Sequence, residues 1–405
     1  YPDDPDFDIN KARLVTTAPR ICVRYECVPM RFIKHVYKIH TYAQDGRLFE
    51  GKTPVSAFLN SSYDGSFIAG LMELRYIQSL PVERIINYFE SHGFTLKKPT
   101  AHKLMEKASS LFENLYKCIR QTALSDPYKA ADETYYKILV PEKNSKGKGV
   151  RKGYLWVVVG INTRMIYLLY DDGSRSEKVI LNELGGCKGI IQSDGYSPYR
   201  KLESDAYPHI TRIPCLQHIK RKFIDCGEDD PDAKRIVEMI NTLYQNEHKH
   251  KIGVDGWTVE QNLVHRKKYA PDILGEIKDV LDDIEERGDL LPKSELKEAI
   301  TYLRNEWNAV VDIFNYGDTY LDNNIVERMN RYISLSRKNS LFFGSHKGAE
   351  RGAILYTIAL TCRMNKVNLF EYLTDVINRT AEWQPNTPLE KYRQLLPDRW
   401  EKAND

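Results

Sequence analysis

The sequence has no apolar run long enough to cross a bilayer. Its most hydrophobic stretch, Leu155-Trp156-Val157-Val158-Val159-Gly160-Ile161, falls far short of the roughly 20 residues a spanning helix needs, and no signal peptide is visible. A membrane partner is therefore not expected. Cysteine is scarce: Cys22, Cys27, Cys118, Cys187, Cys215, Cys226 and Cys362 form no repeating framework, which excludes a disulfide scaffold and suits a reducing, cytoplasmic setting. An excess of one charge is also lacking. With 59 Lys and Arg against 56 Asp and Glu, the net charge of +3 does not identify a nucleic-acid partner, so only clustering of cations can. There is no C-x2-C zinc knuckle either. Cys22, Cys27, His35 and His40 supply two thiolates and two imidazoles, but their C-x4-C-x7-H-x4-H order lacks the tight pair and the long central span, so zinc is not expected. An initiating methionine is missing, and the opening Tyr1-Pro2-Asp3-Asp4-Pro5-Asp6 suggests a piece of something longer.

What remains is an ordinary globular composition, 42% hydrophobic over 405 residues, with room for two or three domains. Residues 1–50 read as a small β-rich unit. Ile21, Val23 and Tyr25 alternate with polar residues, and Phe32, His35, Tyr37 and Ile39 form a second β-rich run. Residues 51–127 turn helical. An apolar-periodic segment covers 54–74, a short helix covers 81–90 and closes at Ser91-His92-Gly93, and another starts near 100 with Leu104, Ala108, Leu111 and Leu115 on one face. Helix, glycine turn, helix is the outline of a helix-turn-helix in which Lys97, Lys98, His102 and Lys103 would meet DNA. An ordinary helical hairpin with a solvated basic face fits the same residues.

Residues 128–226 begin with three β-rich segments that predict an antiparallel meander, at 129–140, 154–161 and 165–170. Asp132 lies within the first, and the pleat sends Glu133 to the opposite face, so one of the two is expected in a site. The loop 142–152 carries Lys146, Lys148, Arg151 and Lys152 and reads either as a solvated hairpin tip or as a phosphate-contacting arm. A helix near 174–184 precedes the apolar run Ile190-Ile191-Gln192-Ser193, which stops at Asp194-Gly195. An acid at the carboxyl end of a buried strand is a candidate site carboxylate, and a helix cap is its plainer reading. Tyr196 and Tyr199 offer flat faces for a base or sugar. A fifth strand at 209–215 runs into a basic helix start with Lys220 and Arg221, and Cys215 and His218 form a bare pair of metal-ligand type with a structural or supporting role.

Residues 227–310 read as an all-helical insertion with stripes at Leu274, Ile277, Leu281 and Ile284, then Leu296, Ile300 and Leu303. Scaffolding, DNA contact and dimerisation all fit it. In 311–380 a helix is predicted with Ile325, Met329 and Ile333 toward the core and Asn323, Glu327, Asn330 and Arg331 on the other side. Glu327 is a candidate acid, with pairing to Arg331 four residues on as the alternative. Arg328, Arg337 and Lys338 are further candidates for phosphate contact. Residues 381–405 read as a tail.

Meander, helix and strand in this order suit a ribonuclease-H-like core, an α/β fold with a mixed sheet, with Asp132 and Asp194 at the places of its first two acids. The segments Asp132-Glu133-Thr134, Gln192-Ser193-Asp194-Gly195-Tyr196-Ser197-Pro198-Tyr199, Cys215-Leu216-Gln217-His218, and Asp322-Asn323-Asn324 with Glu327-Arg328 and Arg331 together resemble the insertion sequence 66 family of bacterial DDE transposases. Arg337-Lys338-Asn339-Ser340-Leu341-Phe342-Phe343-Gly344-Ser345, Thr361-Cys362 and Tyr372-Leu373-Thr374-Asp375-Val376 are similar to the same family's C-terminal block. The resemblance runs from about 51 to about 379. It implies that Asp132, Asp194 and Glu327 bind catalytic Mg2+, with Mn2+ as a substitute. It also implies double-stranded DNA partners (element ends and target) and a homo-oligomer, and leaves open the need for accessory proteins from the same element. The family's cysteine pair before the helical region is replaced here by His40-Thr41-Tyr42-Ala43-Gln44, so zinc is not implied.

Three carboxylates would repel one another unless hard dications relieve them, and two such ions suit displacement at phosphorus. A stand-alone ribonuclease-H-like nuclease would share the acids, and a DNA-binding regulator derived from a transposase would share the rest. A glycosidase with paired acids fits the basic loops less well.

Overall fold

The computed structural model describes residues 6–8, 10, 11, 13, 30–51, 54, 56–58, 61–143, 147, 149–227, 229–384 and 386–402. The strand expected around Ile21, Val23 and Tyr25, the cysteines Cys22 and Cys27, and Lys146 and Lys148 lie outside these residues. The second expected β run is not a strand. Phe32 turns into an aromatic cluster instead, its ring centroid 5.9, 4.9 and 4.7 Å from those of Phe67, Phe89 and Phe94. A hairpin follows it, β1 (Thr41–Gln44) paired antiparallel with β2 (Arg47–Glu50). Asp45 and Gly46 both have positive φ, the primed turn that matches strand twist.

Helix α1 (Gly65–Met72) begins eleven residues later than the periodicity suggests, because Asp64 caps it by accepting the Ser66 N–H at 2.7 Å. α2 (Val82–Ser91) is closed by Gly93 in the left-handed region. The helix expected from about 100 is two, α3 (Lys98–Leu111) and α4 (Glu113–Ser125), parted at the buried Phe112.

The sheet is mixed. β3 (Tyr128–Leu139), β4 (Val150–Gly160) and β5 (Met165–Leu169) form the antiparallel meander. Val150, Arg151 and Lys152, read from sequence as loop, already belong to β4. After α5 (Glu177–Leu184) comes β6 (Gly189–Ser193), then α6 (Ser197–Arg200), β7 (Ile210–Pro214) and α7 (Leu216–Ile224). The strand order is β5-β4-β3-β6-β7, with β6 parallel to both β3 and β7. The helices α8 (Pro231–Glu247), α9 (Val259–Glu286) and α10 (Glu295–Ile313) pack as a bundle, and both expected stripes face its interior. The chain then returns to the sheet through α11 (Asn324–Asn339), β8 (Phe342–Phe343), α12 (His346–Met364), α13 (Leu369–Thr380) and α14 (Leu389–Arg393).

Each edge of the meander is managed. On the β5 edge, Thr357 and Thr361 of α12 accept the Leu168 and Ile166 N–H groups at 2.9 and 3.2 Å, so the helix covers what would otherwise be an open strand. On the other side of β3, β6 pairs only with residues 128–130 and β8 only with 137–138. The gap of six residues between them receives α11. One hydrophobic core joins α1–α4, the meander and α11–α14, and includes Leu395 and Leu396 of the tail. A second joins β6, β7 and α7 to the three-helix bundle.

Candidate active site

Ala130 of β3 sits beside Gln192 of the parallel β6. Two residues further on, Asp132 lies within β3 and Asp194 just past the end of β6, near enough for the charge of Asp194 to act on Asp132. The effect is electrostatic as well as geometric. Burial first, then the charges of Glu133 and Asp194, raise the Asp132 carboxyl to about 8, against the opposing hydrogen bonds from the Glu133 N–H and Asn330. Glu133 is raised too, mainly by burial, while Arg175 pairs with it and holds it down.

Asp132, Glu133 and Thr134 all border an open cleft of about 440 Å3, whose other walls include His218, Glu327, Asn330 and the cations Arg328 and Arg331. The Glu133 carboxylate is held by Arg175 and Tyr199, whereas that of Asp132 is bonded by Asn330 at the cleft. Asp194 is not among the lining residues; its charge reaches the cleft through Asp132 and Glu133.

Helix α11 attaches to β3 by a polar stripe with a seven-residue repeat. Asn323 Nδ2 donates to the Ala131 carbonyl at 2.9 Å, Asn330 Nδ2 donates to Asp132 Oδ2 at 2.6 Å, and Arg337 donates to the Tyr135 carbonyl and to Thr134 Oγ1. These side chains satisfy the stretch of β3 that β6 and β8 leave unpaired. The expected helix face needs correction accordingly. Asn330 is buried with Val326, Ile333 and Ser336, while Ile325 and Met329 are only partly covered and Arg331 is exposed. Periodicity put the asparagines outside because it does not register an inward-facing amide with a backbone partner.

Glu327, one turn before Asn330, points to the mouth of β7. His218 Nδ1 lies 3.7 Å from Glu327 Oε1, and among the described residues no ion pair joins Glu327 to Arg331. Cys215, His218 and Glu327 offer ligand atoms all within 4.8 Å of one another. The pair seen in the sequence thus gains a third donor from a residue more than a hundred positions away. Burial raises the Cys215 thiol to about 12, although the Asn323 N–H donates to its sulfur at 3.2 Å. His218 Nδ1, Glu327 Oε1, Asn323 Oδ1 and Asn330 Oδ1 are buried with no hydrogen-bond partner among the described residues. Orphaned acceptors beside clustered carboxylates are a fitting environment for a cation.

The loop after β6 is held from the helical bundle. Gly195 N donates to Tyr302 Oη of α10 at 2.8 Å, and a Cβ at Gly195 would collide with the Tyr302 ring. The fully buried Arg212 of β7 donates to the Asp194 carbonyl at 2.8 Å, to Ser193 Oγ at 3.1 Å, and to Glu203 and Glu306 at 2.5 Å each. Asp194 Oδ1 itself accepts the Tyr196 N–H at 3.1 Å, so its plainer turn-closing role is real but engages a single oxygen. The expected base platforms are corrected. Tyr199 is entirely buried edge-on to Trp156, and the Tyr196 ring is covered by Arg175, 4.2 Å from its centroid.

Residues 60–351 match the family model described as "Transposase IS66 family", which is well over half of the chain. The chain belongs to the IS66 transposase family. It is also similar to three proteins of Sinorhizobium fredii (strain NBRC 101917 / NGR234). It is 26% identical to "Uncharacterized protein y4jD" over 82% of this chain and 65% of that protein. For "Uncharacterized protein y4hP" the figures are 24%, 99% and 77%, and for "Uncharacterized protein y4qI" 26%, 91% and 69%. The chain therefore spans about two thirds to three quarters of these relatives' lengths.

Within this IS66-family chain the expected DNA-contacting cations fall into distinct settings. Arg328 and Arg331 border the acidic cleft and are exposed. Lys220 is partly covered, Arg221 and Lys338 are exposed, and Arg151 and Lys152 stand on the outer part of β4. Lys152 and Arg337 approach the Tyr135 ring, at 4.8 and 3.9 Å from its centroid, so Arg337 is largely engaged in holding α11 to β3. Lys97 and Lys103 are exposed at the start of α3, where Lys98 pairs with Glu83 of α2. Sequence reasoning missed Asn330, Arg175, Arg212 and Tyr302. The seven-residue repeat of Asn323, Asn330 and Arg337 was the one legible signal for the first of these. No described helix is long and apolar enough to cross a membrane.

Proposed function

We propose that this chain is a DNA transposase that cuts at the ends of an insertion sequence and joins the freed 3′-OH to target DNA. The observation that supports the reading is that Asp132 and Glu327 border one cleft, with Asp194 near enough for its charge to act on Asp132. Asp132 of β3 and Glu327 of α11 border the cleft, Asn330 bonds that helix to Asp132, and Asp194 follows the end of β6, the parallel neighbour of β3. The strand order, with the first strand central and the meander on one side, supports a ribonuclease-H-like core made of 128–226 and 311–380. The segment 51–127 would act as the helix-turn-helix-like DNA-binding region, and 227–310 as the helical insertion.

Asp132, Asp194 and Glu327 would hold Mg2+, or Mn2+ in its place, through oxygen donors that suit a hard dication. When bound, such a pair of ions supplies activation of the attacking oxygen and charge stabilisation at the phosphorus. The chain's own groups do the rest. Asn330 fixes the rotamer of Asp132, Arg175 pairs with Glu133 and offsets part of the charge it places beside Asp132, and Arg212 and Tyr302 set the position of Asp194. Arg328 and Arg331 offer guanidinium groups to the phosphates that flank the scissile bond. In cleavage, water adds to the phosphorus and the 3′ oxygen leaves; in joining, that 3′-OH attacks a target phosphodiester.

The test is a strand-transfer assay on duplexes carrying the element's ends, in Mg2+ and in Mn2+. Asp132→Asn, Asp194→Asn and Glu327→Gln should each abolish cleavage and joining while retaining end binding. Joining at the parental rate by any of them removes that residue from the mechanism. Cleavage without joining in the parental chain would instead indicate a nuclease.

A further inference from the structure

Cys215 ends β7, His218 lies in the first turn of α7 and Glu327 comes from α11, yet their ligand atoms share one small volume. We propose that these three side chains form a site for a thiophilic transition-metal dication such as Zn2+, and that the site takes Glu327 away from the aspartate pair when it is filled.

Three features of the molecule support it. First, the ligands of a tetrahedral zinc, at about 2.0–2.3 Å from the metal, lie roughly 3.5 Å from each other. His218 Nδ1 and Glu327 Oε1, 3.7 Å apart, already have that spacing, and it is too long for a hydrogen bond between them. Second, both of these atoms are buried without a hydrogen-bond partner among the described residues, a state that a shared ion relieves. Third, the sulfur already has an outer hydrogen-bond donor. The Asn323 N–H donates to Cys215 Sγ at 3.2 Å, the kind of outer contact that steadies a thiolate ligand, and the side chain of the same Asn323 is bonded to Ala131 of β3.

Donor type separates this site from the aspartate pair. Sulfur and imidazole nitrogen favour Zn2+ or Co2+ over Mg2+, whereas Asp132 and Asp194 offer oxygen alone. Coordination takes the thiolate, so the thiol proton passes to solvent as the ion binds. Three protein ligands leave the fourth position to water from the cleft, which His218 and Glu327 both line. Because one carboxylate serves two sites, zinc would oppose Mg2+-dependent chemistry. That consequence rests on the transposase reading; the binding itself does not.

The experiment uses the full chain stripped of metal, with Zn2+ followed by equilibrium dialysis and Co2+ followed by its sulfur-to-metal charge-transfer absorption. One ion per chain is expected, with the absorption band present. Cys215→Ser should remove the band and weaken Zn2+ binding by roughly tenfold or more, and His218→Asn should weaken binding to a similar degree. Asp132→Asn and Asp194→Asn should leave both readouts as in the parent. Thermal melts establish that each variant is folded, and His218→Asn carries the test if Cys215→Ser is not. Failure to bind at micromolar Zn2+, or a band that survives Cys215→Ser, overturns the proposal. In the strand-transfer assay, Zn2+ should inhibit the parent and inhibit Cys215→Ser less, each relative to its own zinc-free rate. A parent that never joins DNA would sink the transposase reading and leave the binding result standing.

Discussion

Asn330 donates from Nδ2 to Asp132 Oδ2 at 2.6 Å, and this bond ties the helix that carries Glu327 directly to the carboxylate of the first acid. Replacing it by alanine leaves Asp132 buried with one donor fewer. With its carboxyl raised to about 8, Asp132 is largely protonated at neutral pH, so the bond counts as one between neutral groups, on the order of 0.5–1.5 kcal/mol. Asn330→Ala is expected to lower the unfolding free energy by about that amount in urea titrations and to reduce strand joining more than end binding. Unchanged stability together with unchanged joining would show that the bond does not set the site.

Asp132 also predicts a pH dependence. Its carboxyl is raised to about 8 by burial and by the charges of Glu133 and Asp194, whereas in the unfolded chain it titrates near 4. Between these values the native state holds a proton that the unfolded state has released. Stability of the metal-free protein therefore falls as pH rises from about 4 to about 8, levels off above, and is unaffected by this group below about 4. The Tm of metal-stripped protein should decline across that window, less so in Asp132→Asn, and Mg2+ should restore it most at the alkaline end. Identical profiles for the two proteins would contradict this.

The loop carrying the second acid should be sensitive to α10. A methyl group at Gly195 meets the Tyr302 ring, and overpacking of this kind costs about 1–3 kcal/mol. Gly195→Ala should therefore lower Tm, and Tyr302→Ala in the same chain should recover part of the loss. A double variant as unstable as the sum of the two singles would show that the contact is not the cause.

Arg212 and Glu306 form a charge pair in which both side chains are almost wholly buried. Glu306→Leu removes one of the two carboxylates on the guanidinium and leaves Glu203, so the loss should fall below about 3–5 kcal/mol, the cost of a fully unpaired buried charge. Pairing that change with Arg212→Met should restore much of the stability. It should not restore joining, because the Asp194 carbonyl would still lack its donor. Full joining by the double variant would separate Arg212 from the site.

Arg328 and Arg331 give a prediction about DNA. Each alanine substitution should weaken end binding to a similar degree for any sequence and reduce the salt slope by about 1. An unaltered slope would place these cations away from phosphate.

Much of the sheet was legible because its strands announce themselves locally. The runs at 129–140, 154–161 and 165–170 alternate or are continuously apolar, and each lies within a residue or a few of an observed strand. The bundle stripes were legible for the same reason, since a helix that buries one face repeats its apolar residues at a fixed interval. The errors share a cause as well. Phe32 carries the pattern of a strand but is claimed by an aromatic cluster, and Asn330 carries the pattern of a solvent face but is claimed by Asp132. Neither partner is near in sequence.

The sequence by itself determined the element types, the order in which they are wound and the family, since hydrophobic period, turn chemistry and motif order are all written within short windows. Tertiary structure alone decided which polar side chains meet. The inward turn of Asn323 and Asn330 and the approach of Glu327 to Cys215 and His218 depend on polar groups seeking partners across a hundred residues or more, and the grip of Arg212 on the Asp194 carbonyl spans 18 residues from one strand to the end of its neighbour. Such partners are chosen by proximity in the folded chain, where an unsatisfied polar group is expensive, and no local pattern records that choice.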